Sequence, residues 1–446
     1  MIVDIISALL LAIPTAVLVH LRNTPSVREL LDMGALKAII FVLVLLFVSF
    51  LIEIYKDHRG LSIKEIFARI VVSLAVSSGI IFTLTFLCPF LMYDRNILMT
   101  ALFIFGVVQF AIHYGYRICV KLSVFARRVL ILGVGPLAGH MGQIIPTTDD
   151  NYILSGYVNC ANEMSHVPAE TILENTDGLY ETVRREKADK IVVSLSERRG
   201  VFPLQDVMAC KLSGIEVIDA PSFYEQVTGK LLLENITPSW FIFSEGFKIR
   251  AWRRVVKRCM DVACSAFGIM VTLPFFPLIA LAIKLDSQGP VFFRQERVGE
   301  KENIFTLYKF RTMRADAESG TGAVWAQKND PRITRIGNFF RKSRIDELPQ
   351  FINVLMGDMS LVGPRPERPE FVKKLKEIIP YYSERHSVKP GVTGWAQVRY
   401  PYGSSVEDAL EKLRYDLYYI KNISLVLDLM VILETIKVVL FRRGGR

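Results

Sequence analysis

Four apolar stretches open the chain, at about residues 2–20, 36–54, 68–93 and 97–118. Each approaches the ~20 residues that a helix needs to cross the hydrocarbon core of a bilayer. The first carries neither a basic leader nor a small-residue cleavage site, so it reads as a retained helix and not as a signal peptide. Lys56, Arg59, Lys64 and Arg69 mark the loop between the second and third stretches, Arg95 alone the next loop, and Arg117, Lys121, Arg127 and Arg128 the exit from the fourth. The positive-inside rule then puts the N-terminus, residues 55–67 and everything after 119 in the cytoplasm. Arg22, Arg28 and Lys37 in the first loop run against this, offset in part by Glu29 and Asp32. The pattern predicts an N-terminal four-helix transmembrane bundle over residues 1–120.

Beyond Arg128 the period changes. Short apolar runs at 129–133, 153–158, 190–194 and 215–219 alternate with helical segments. That alternation predicts a doubly wound α/β domain, Rossmann-like, over 121–246. The first run leads into Gly133-x-Gly135-x-x-x-Gly139. The spacing departs from GxGxxG, and Asn159 stands where a ribose-binding acid belongs, so a structural or regulatory domain is expected rather than a nicotinamide site.

The third region, 247–446, is mixed and mostly helical, a mainly α monotopic domain by expectation. Six basic residues between 248 and 258 precede an apolar run, Val262–Ile283, closed by Lys284. The run is long enough to cross a membrane. Base at both ends disfavours crossing, and Pro274 and Pro277 interrupt its centre. Two readings stand side by side: a re-entrant helix over 258–285 that dips into one leaflet, or a kinked transmembrane helix supported by neighbours.

Composition narrows the class. With 51% hydrophobic and 22% charged residues and a mean hydropathy of +0.32, the chain is too apolar for a soluble enzyme of 446 residues and too charged for a wholly lipid-buried bundle. The excess of 54 Lys and Arg over 44 Asp and Glu fits cytoplasmic flanks, anionic headgroups and anionic substrates. It carries no nucleic-acid motif, so no nucleic-acid partner is expected. The six cysteines form no CxxC pair and the six histidines no metal-spaced cluster. Cys160, Cys210 and Cys259, outside the apolar segments, read as reduced thiols.

Chemistry-capable side chains crowd into 289–366: Phe293-Arg-Gln-Glu-Arg-Val-Gly299, Lys309-Phe-Arg-Thr-Met313, Arg344-Ile-Asp-Glu-Leu-Pro-Gln350 and Gly357-Asp-Met-Ser-Leu-Val-Gly-Pro-Arg-Pro366. Pro349 fits a helix start. Asp346 and Glu347 would then lie at a helix N-terminus, where free amides and the dipole keep carboxylates ionised. An ionised carboxylate beside bound phosphate can be a nucleophile or hold Mg²⁺. First-turn acids more often merely stabilise a helix, and Gly-Pro-Arg-Pro alone reads as a rigid turn. The combination shifts the balance toward chemistry.

Residues 257–440 resemble the bacterial sugar transferase domain of the monotopic polyprenyl-phosphate phosphoglycosyl transferases. The resemblance rests on Lys257-Arg-x-x-Asp261, the Pro274 break, 293–299, Lys309–Met313, Asp346-Glu-Leu-Pro349, Gly357-Asp-Met-Ser360, Gly363-Pro-Arg-Pro366 and Lys389-Pro-Gly-Val-Thr-Gly-Trp-Ala-Gln-Val398. The first half resembles the four-helix and dinucleotide-fold extension of the large members. The resemblance implies transfer of a sugar 1-phosphate from a UDP-sugar to undecaprenyl phosphate at the cytoplasmic face of the bacterial inner membrane. It implies Asp346 as nucleophile, a covalent phosphosugar intermediate, UMP as product and Glu347 on Mg²⁺. Lys309, Arg311, Pro364, Arg365, Pro366, Arg294 and Arg297 match or flank phosphate-contacting positions. Lys257, Arg258, Asp261 and Pro274 match the headgroup end and break of the re-entrant helix. Membrane lipids and polysaccharide assembly machinery are the implied partners, and a homodimer is compatible.

Two departures stand out: Leu273 before the breaking proline, where members often have Ser, with Thr272 as substitute, and Arg399-Tyr-Pro-Tyr-Gly-Ser-Ser405 in place of an Asn-Gly-Arg-like stretch. Rival readings are a membrane-bound nucleotide-sugar dehydratase or epimerase, and a non-catalytic scaffold. A dehydratase needs Tyr-x-x-x-Lys, and no tyrosine here has Lys four residues on.

Overall fold

The computed structural model describes residues 27–52, 54, 63–89, 95–121, 126–148, 152–160, 164–176, 178–195, 202–235, 246–247, 250–314, 317, 330–400, 403 and 405–440. The expected first helix, 2–20, lies outside them. The chain forms two compact units, one of residues 1–127 with 150–153 and one of 128–149 with 154–446. The α/β region and the C-terminal region, expected as separate modules, share the second unit.

In the first unit, helices α1 (Val27–Leu51), α2 (Ile63–Leu87) and α3 (Arg95–Lys121) pack side by side. Phe41, Leu45, Ile81, Leu102 and Phe105 fill their interface. Ser49 shares a hydrogen bond with Ser73 and accepts one from Gln109, so interhelical polar contacts sit inside the bundle. The outer faces are apolar too, with Phe82, Phe86 and Phe103 largely exposed. A helix apolar on every side belongs in lipid. Two helical segments of this unit, Ile63–Leu87 and Leu98–Tyr116, are long and apolar enough to cross a membrane.

The second unit begins with a five-stranded sheet, β1 (Arg127–Leu132), β2 (Tyr152–Val158), β3 (Ile172–Leu173), β4 (Lys190–Val193) and β5 (Glu216–Asp219), in the order 3-2-1-4-5. β1 with β4, β2 with β3 and β4 with β5 pair in parallel. Helices α4 (Pro136–Thr148), α5 (Leu179–Arg185) and α6 (Leu204–Leu212) lie in the connections between strands, and α7 (Ala220–Thr228) follows the last strand. The runs at 129–133 and 190–194 are its central strands β1 and β4, buried on both faces, and the run at 215–219 is the edge strand β5. The two-residue β3 has no apolar run to announce it.

The remainder is built on a membrane-length helical run, Ala251–Asp286, whose most apolar stretch is almost wholly exposed. Its parts are α8 (Ala251–Thr272), a 3₁₀ turn (Leu273–Phe275) and α9 (Phe276–Asp286). Pro274 therefore sits in a 3₁₀ turn whose neighbours on either side, Leu273 and Phe275, keep right-handed helical dihedrals. The Leu273 carbonyl that Pro277 leaves without a donor is taken by the Phe276 amide. Thr272 does not substitute there: its hydroxyl bonds back to the Gly268 carbonyl, 2.7 Å.

Next come a hairpin of β6 (Phe292–Val298) and β7 (Ile304–Phe310), then α10 (Arg335–Ser343), α11 (Gln350–Met356), β8 (Ser360–Val362) and α12 (Pro369–Ile378). β9 (Gly391–Thr393), parallel to β8, leads to α13 (Trp395–Arg399), α14 (Val406–Lys421) and α15 (Leu425–Leu440). Val354, Met359, Val362, Leu413, Leu417 and Tyr419 are at the heart of the core they share. Both ends of the apolar run are fastened to this unit, the near end at this core and the far end beside a second cluster of Ile283, Phe310 and Phe340. Near the start, Arg258 donates to the Val354 and Leu355 carbonyls (2.6 and 2.9 Å), and Asp261 accepts from the Leu361 amide (3.0 Å). At the far end, Asp286 accepts from the Ile336 amide at 3.0 Å and Arg311 donates to the Ser287 carbonyl at 2.7 Å.

Candidate active site

Three separate segments converge on one place. α10 stops where Arg344 takes a left-handed conformation (φ +58°), which swings the chain into a single 3₁₀ turn, Ile345–Glu347. Such a conformation is costly for a residue with a side chain. Here it folds the Arg344 guanidinium back onto Glu347, 3.2 Å away. β7 brings Lys309 to the same carboxylate at 3.1 Å, and the segment after β8 brings Arg365 at 3.2 Å. Glu347 is thus held by three cations.

The helix N-terminus expected for the carboxylates is corrected here. Asp346 and Glu347 precede α11 in their own turn, and the Glu347 and Leu348 amides are spent inside that turn on the Arg344 and Ile345 carbonyls. Neighbouring side chains set the charges instead. Burial works to raise the Glu347 carboxyl, but Lys309, Arg365 and Arg344 together outweigh it and hold it well below the ordinary glutamate range. Burial pushes the Asp346 carboxyl up; Lys309 draws it down, the adjacent Glu347 charge adds to the rise, and the net shift is upward. Burial also lowers the Lys309 ammonium, against the pull of Glu347.

Asp346 lines a cavity of about 420 Å³. Among the described residues, eleven arginines and lysines line it against three carboxylates, Asp346, Glu367 and Asp416. That imbalance suits a ligand with several negative charges, and guanidinium forks match phosphate oxygens. Pro290, Phe292 and Phe293 give one side of the cavity an apolar lining, next to the end of the apolar helical run. Asp346 Oδ1 is buried without a hydrogen-bond partner. A buried acceptor left without a partner calls for an explanation, and a ligand-binding or catalytic role is one.

Of the residues singled out from the sequence, Asp346, Lys309, Arg311, Arg365 and Arg297 line this cavity, and Glu347 lies against Lys309, Arg344 and Arg365 of its lining. Arg311 also closes the end of α9 through the Ser287 and Gln288 carbonyls. Arg294 is turned away: on β6, Gln295 and Arg297 face the cavity, and Arg294 stacks over Tyr308, 5.7 Å from its centroid. Pro364 and Pro366 contribute carbonyls, bonded by the Gly391 amide and by Arg297. The three polar residues expected at the lipid headgroup are engaged by protein. Lys257 donates to Asp428 (2.8 Å), the Val362 carbonyl (3.1 Å) and the Tyr419 hydroxyl (3.2 Å), which uses all three ammonium protons. Arg258 and Asp261 hold α11 and β8 as described above.

Sequence reasoning did not single out Arg385, Lys412 and Asp416, and gave no part to Gln397 although it lies in the quoted Lys389–Val398 stretch; all four also line the cavity. They lie up to about fifty residues beyond Arg365, and no short motif connects them. Asp428 left a signal, a charge within the apolar run 425–440.

Magnesium is held by one or two carboxylates together with waters and substrate phosphates. Glu347, kept ionised, with Asp346 beside it, fits that donor set; among the described residues no group of three or more His, Cys, Asp or Glu side chains is placed to hold a metal ion.

The glycine turn of the α/β domain is a second candidate for phosphate. A Cβ on Gly133 (φ +126°) would stand 2.7 Å from the Ser194 carbonyl oxygen, and one on Gly139 2.9 Å from that of His166. The His166 amide bonds the Val134 carbonyl at 2.8 Å. The chain's own backbone thus lies against these glycines.

Comparison with known proteins decides the family. The model for the bacterial sugar transferase family matches residues 252–442. Over 196 residues the chain is 43% identical to the exopolysaccharide production protein PSS of Rhizobium leguminosarum bv. phaseoli, covering 98% of that protein and 43% of this one. The chain belongs to the bacterial sugar transferase family. It is also 42% identical over 237 residues to the UDP-N-acetylgalactosamine-undecaprenyl-phosphate N-acetylgalactosaminephosphotransferase of Aeromonas hydrophila, which is 53% of this chain and 55% of the relative. With the undecaprenyl-phosphate glucose phosphotransferase of Komagataeibacter xylinus it shares 33% over 329 residues, 72% of this chain and 60% of the relative. The chain thus spans between half and two thirds of these two relatives.

Proposed function

We propose that this protein moves a sugar 1-phosphate from a UDP-sugar to undecaprenyl phosphate in two displacements on Asp346. An Asp346 carboxylate oxygen attacks the phosphorus that carries the sugar. The bond from that phosphorus to the bridging oxygen breaks, and UMP leaves with the electron pair. A phosphate oxygen of undecaprenyl phosphate then attacks the same phosphorus and frees the carboxylate, giving sugar-diphospho-undecaprenol, the first lipid-linked unit of an exopolysaccharide, capsule or O-antigen repeat. The carrying observation is a buried aspartate with an open acceptor oxygen in a cavity lined by eleven cations. Both relatives described above by their transfer reaction are named for undecaprenyl-phosphate phosphotransfer.

Each residue has a part. Arg365 and Lys309 would turn from Glu347 toward the diphosphate as it enters, and Arg297 and Arg311 add positive field along the wall. Glu347 would hold Mg²⁺, which when bound neutralises charge on the diphosphate. Asp346 must be ionised to attack; an incoming cation near Glu347 favours that form.

We read Ala251–Asp286 as re-entrant and the face bearing the cavity as cytoplasmic, with the first unit as a four-helix anchor in the bacterial inner membrane. A straight helix from Arg258 to Asp286 would be about 42 Å long at ~1.5 Å per residue. Hydrogen bonds tie both of those residues to one compact unit, which argues against ~30 Å of hydrocarbon between them. Cysteines placed at 256 and 287 should label from the same side of sealed vesicles; opposite-side labelling contradicts this reading. For the reaction, a panel of UDP-sugars with undecaprenyl phosphate, scored by UMP release, should yield at least one turnover substrate. Silence across the panel contradicts it.

A further inference from the structure

Four successive carbonyls, Pro364 to Glu367, are each gripped from elsewhere in the chain. The Gly391 amide holds Pro364 (2.9 Å), Arg385 holds Arg365 (3.0 Å), Arg297 holds Pro366 (3.0 Å) and the Val298 amide holds Glu367 (3.0 Å). Two of these are backbone contacts to β6 and β9. Arg385 is different in kind. It is only 5% exposed, and its guanidinium also bonds the Tyr382 hydroxyl at 2.6 Å and Asp416 at 2.8 Å. Asp416, 2% exposed, comes from α14. A buried ion pair is a poor source of net stability, because desolvating two charges offsets their attraction. Its usefulness lies in geometry, and the geometry ends on one atom, the carbonyl of the residue whose guanidinium reaches both Glu347 and Gln397.

We propose that Arg385, locked by Asp416 and Tyr382, is a positioning residue that fixes the backbone of Arg365 and so sets the place from which its guanidinium reaches Glu347 and, once the donor enters, the diphosphate. This rests on the reading of Glu347 and Arg365 given above. A spare apolar pair would fill the same space but could not hold a carbonyl at a set angle.

The test uses the full-length protein in nanodiscs. In Arg385→Gln, amide exchange at Gly391 and Val298, which bond the carbonyls on either side, should speed by about tenfold, and Arg385→Lys should restore part of it. The kcat for UMP release should fall about as far as in Arg365→Ala, with KM for the UDP-sugar nearly unchanged. The double variant Arg365→Ala/Arg385→Gln should be no slower than Arg365→Ala alone, since both act through one group. Asp416→Asn keeps the shape and serves if Arg385→Gln fails to fold; it should show the same exchange at smaller amplitude. Unchanged exchange, or losses that multiply in the double variant, would overturn the proposal and make Arg385 a substrate contact or a plain core residue. Should the wild type turn over no UDP-sugar, the functional reading falls, and the exchange experiment still decides this one.

Discussion

The second unit contains two places that a sequence reader would examine for phosphate, and they are opposites. The turn after β1 has the glycines but no space: the Ser194 and His166 carbonyl oxygens stand where added Cβ atoms would press. The cavity beside Asp346 has no glycine-rich loop, yet it has volume, eleven cations and a buried carboxylate oxygen with nothing to accept from. Glycine in the first case permits the chain to pack on itself. In the second, charges are brought together that repel one another and are balanced by only three lining acids, an arrangement that stability alone does not select. A motif marks where backbone comes close; a ligand needs the room and the charge.

Breaking the cavity should cost most. Asp346→Asn removes the attacking oxyanion and should lower sugar phosphate transfer by on the order of 10⁴-fold or more, scored by UMP release. Arg365→Ala should cost roughly 10²–10³-fold in kcat, the scale seen when one preorganised donor to a developing charge is lost. Next in size is the clamp on α8. Asp428→Ala leaves the Lys257 ammonium half-buried without its carboxylate and should destabilise the second unit by about 3–5 kcal/mol, measured by thermal unfolding in detergent. The smallest effects on turnover belong to the glycine turn. Gly133→Ala should lower the melting temperature and leave UMP release per folded molecule unchanged, whereas a dinucleotide should give no thermal shift and UMP should. A shift with the dinucleotide would reverse the comparison.

Much of this was readable because it was local. Four of the five strands of the sheet announce themselves as apolar runs, and Asp346-Glu-Leu-Pro349 with Gly363-Pro-Arg-Pro366 marks the candidate site within twenty-one residues. What escaped was tertiary. Nothing in the order of residues says that Arg344 bends left-handed to cover Glu347, so the helix dipole was credited with a charge that Lys309, Arg365 and Arg344 maintain. Nor does it say that Lys257 spends its protons on Asp428, Val362 and Tyr419. Arg294 and Arg297 look equivalent in a string; a strand sends neighbours of opposite parity to opposite faces. Arg385 and Asp416 are thirty-one residues apart and meet only in the fold.

The most direct test of the account is the intact mass of the purified full-length protein after exposure to an accepted UDP-sugar without any lipid acceptor. The account predicts one equivalent of UMP released, a mass gain equal to the sugar phosphate, its location on the peptide holding Asp346, and its loss on adding undecaprenyl phosphate. UMP released with no mass gain, or the added mass found on another residue, would contradict it.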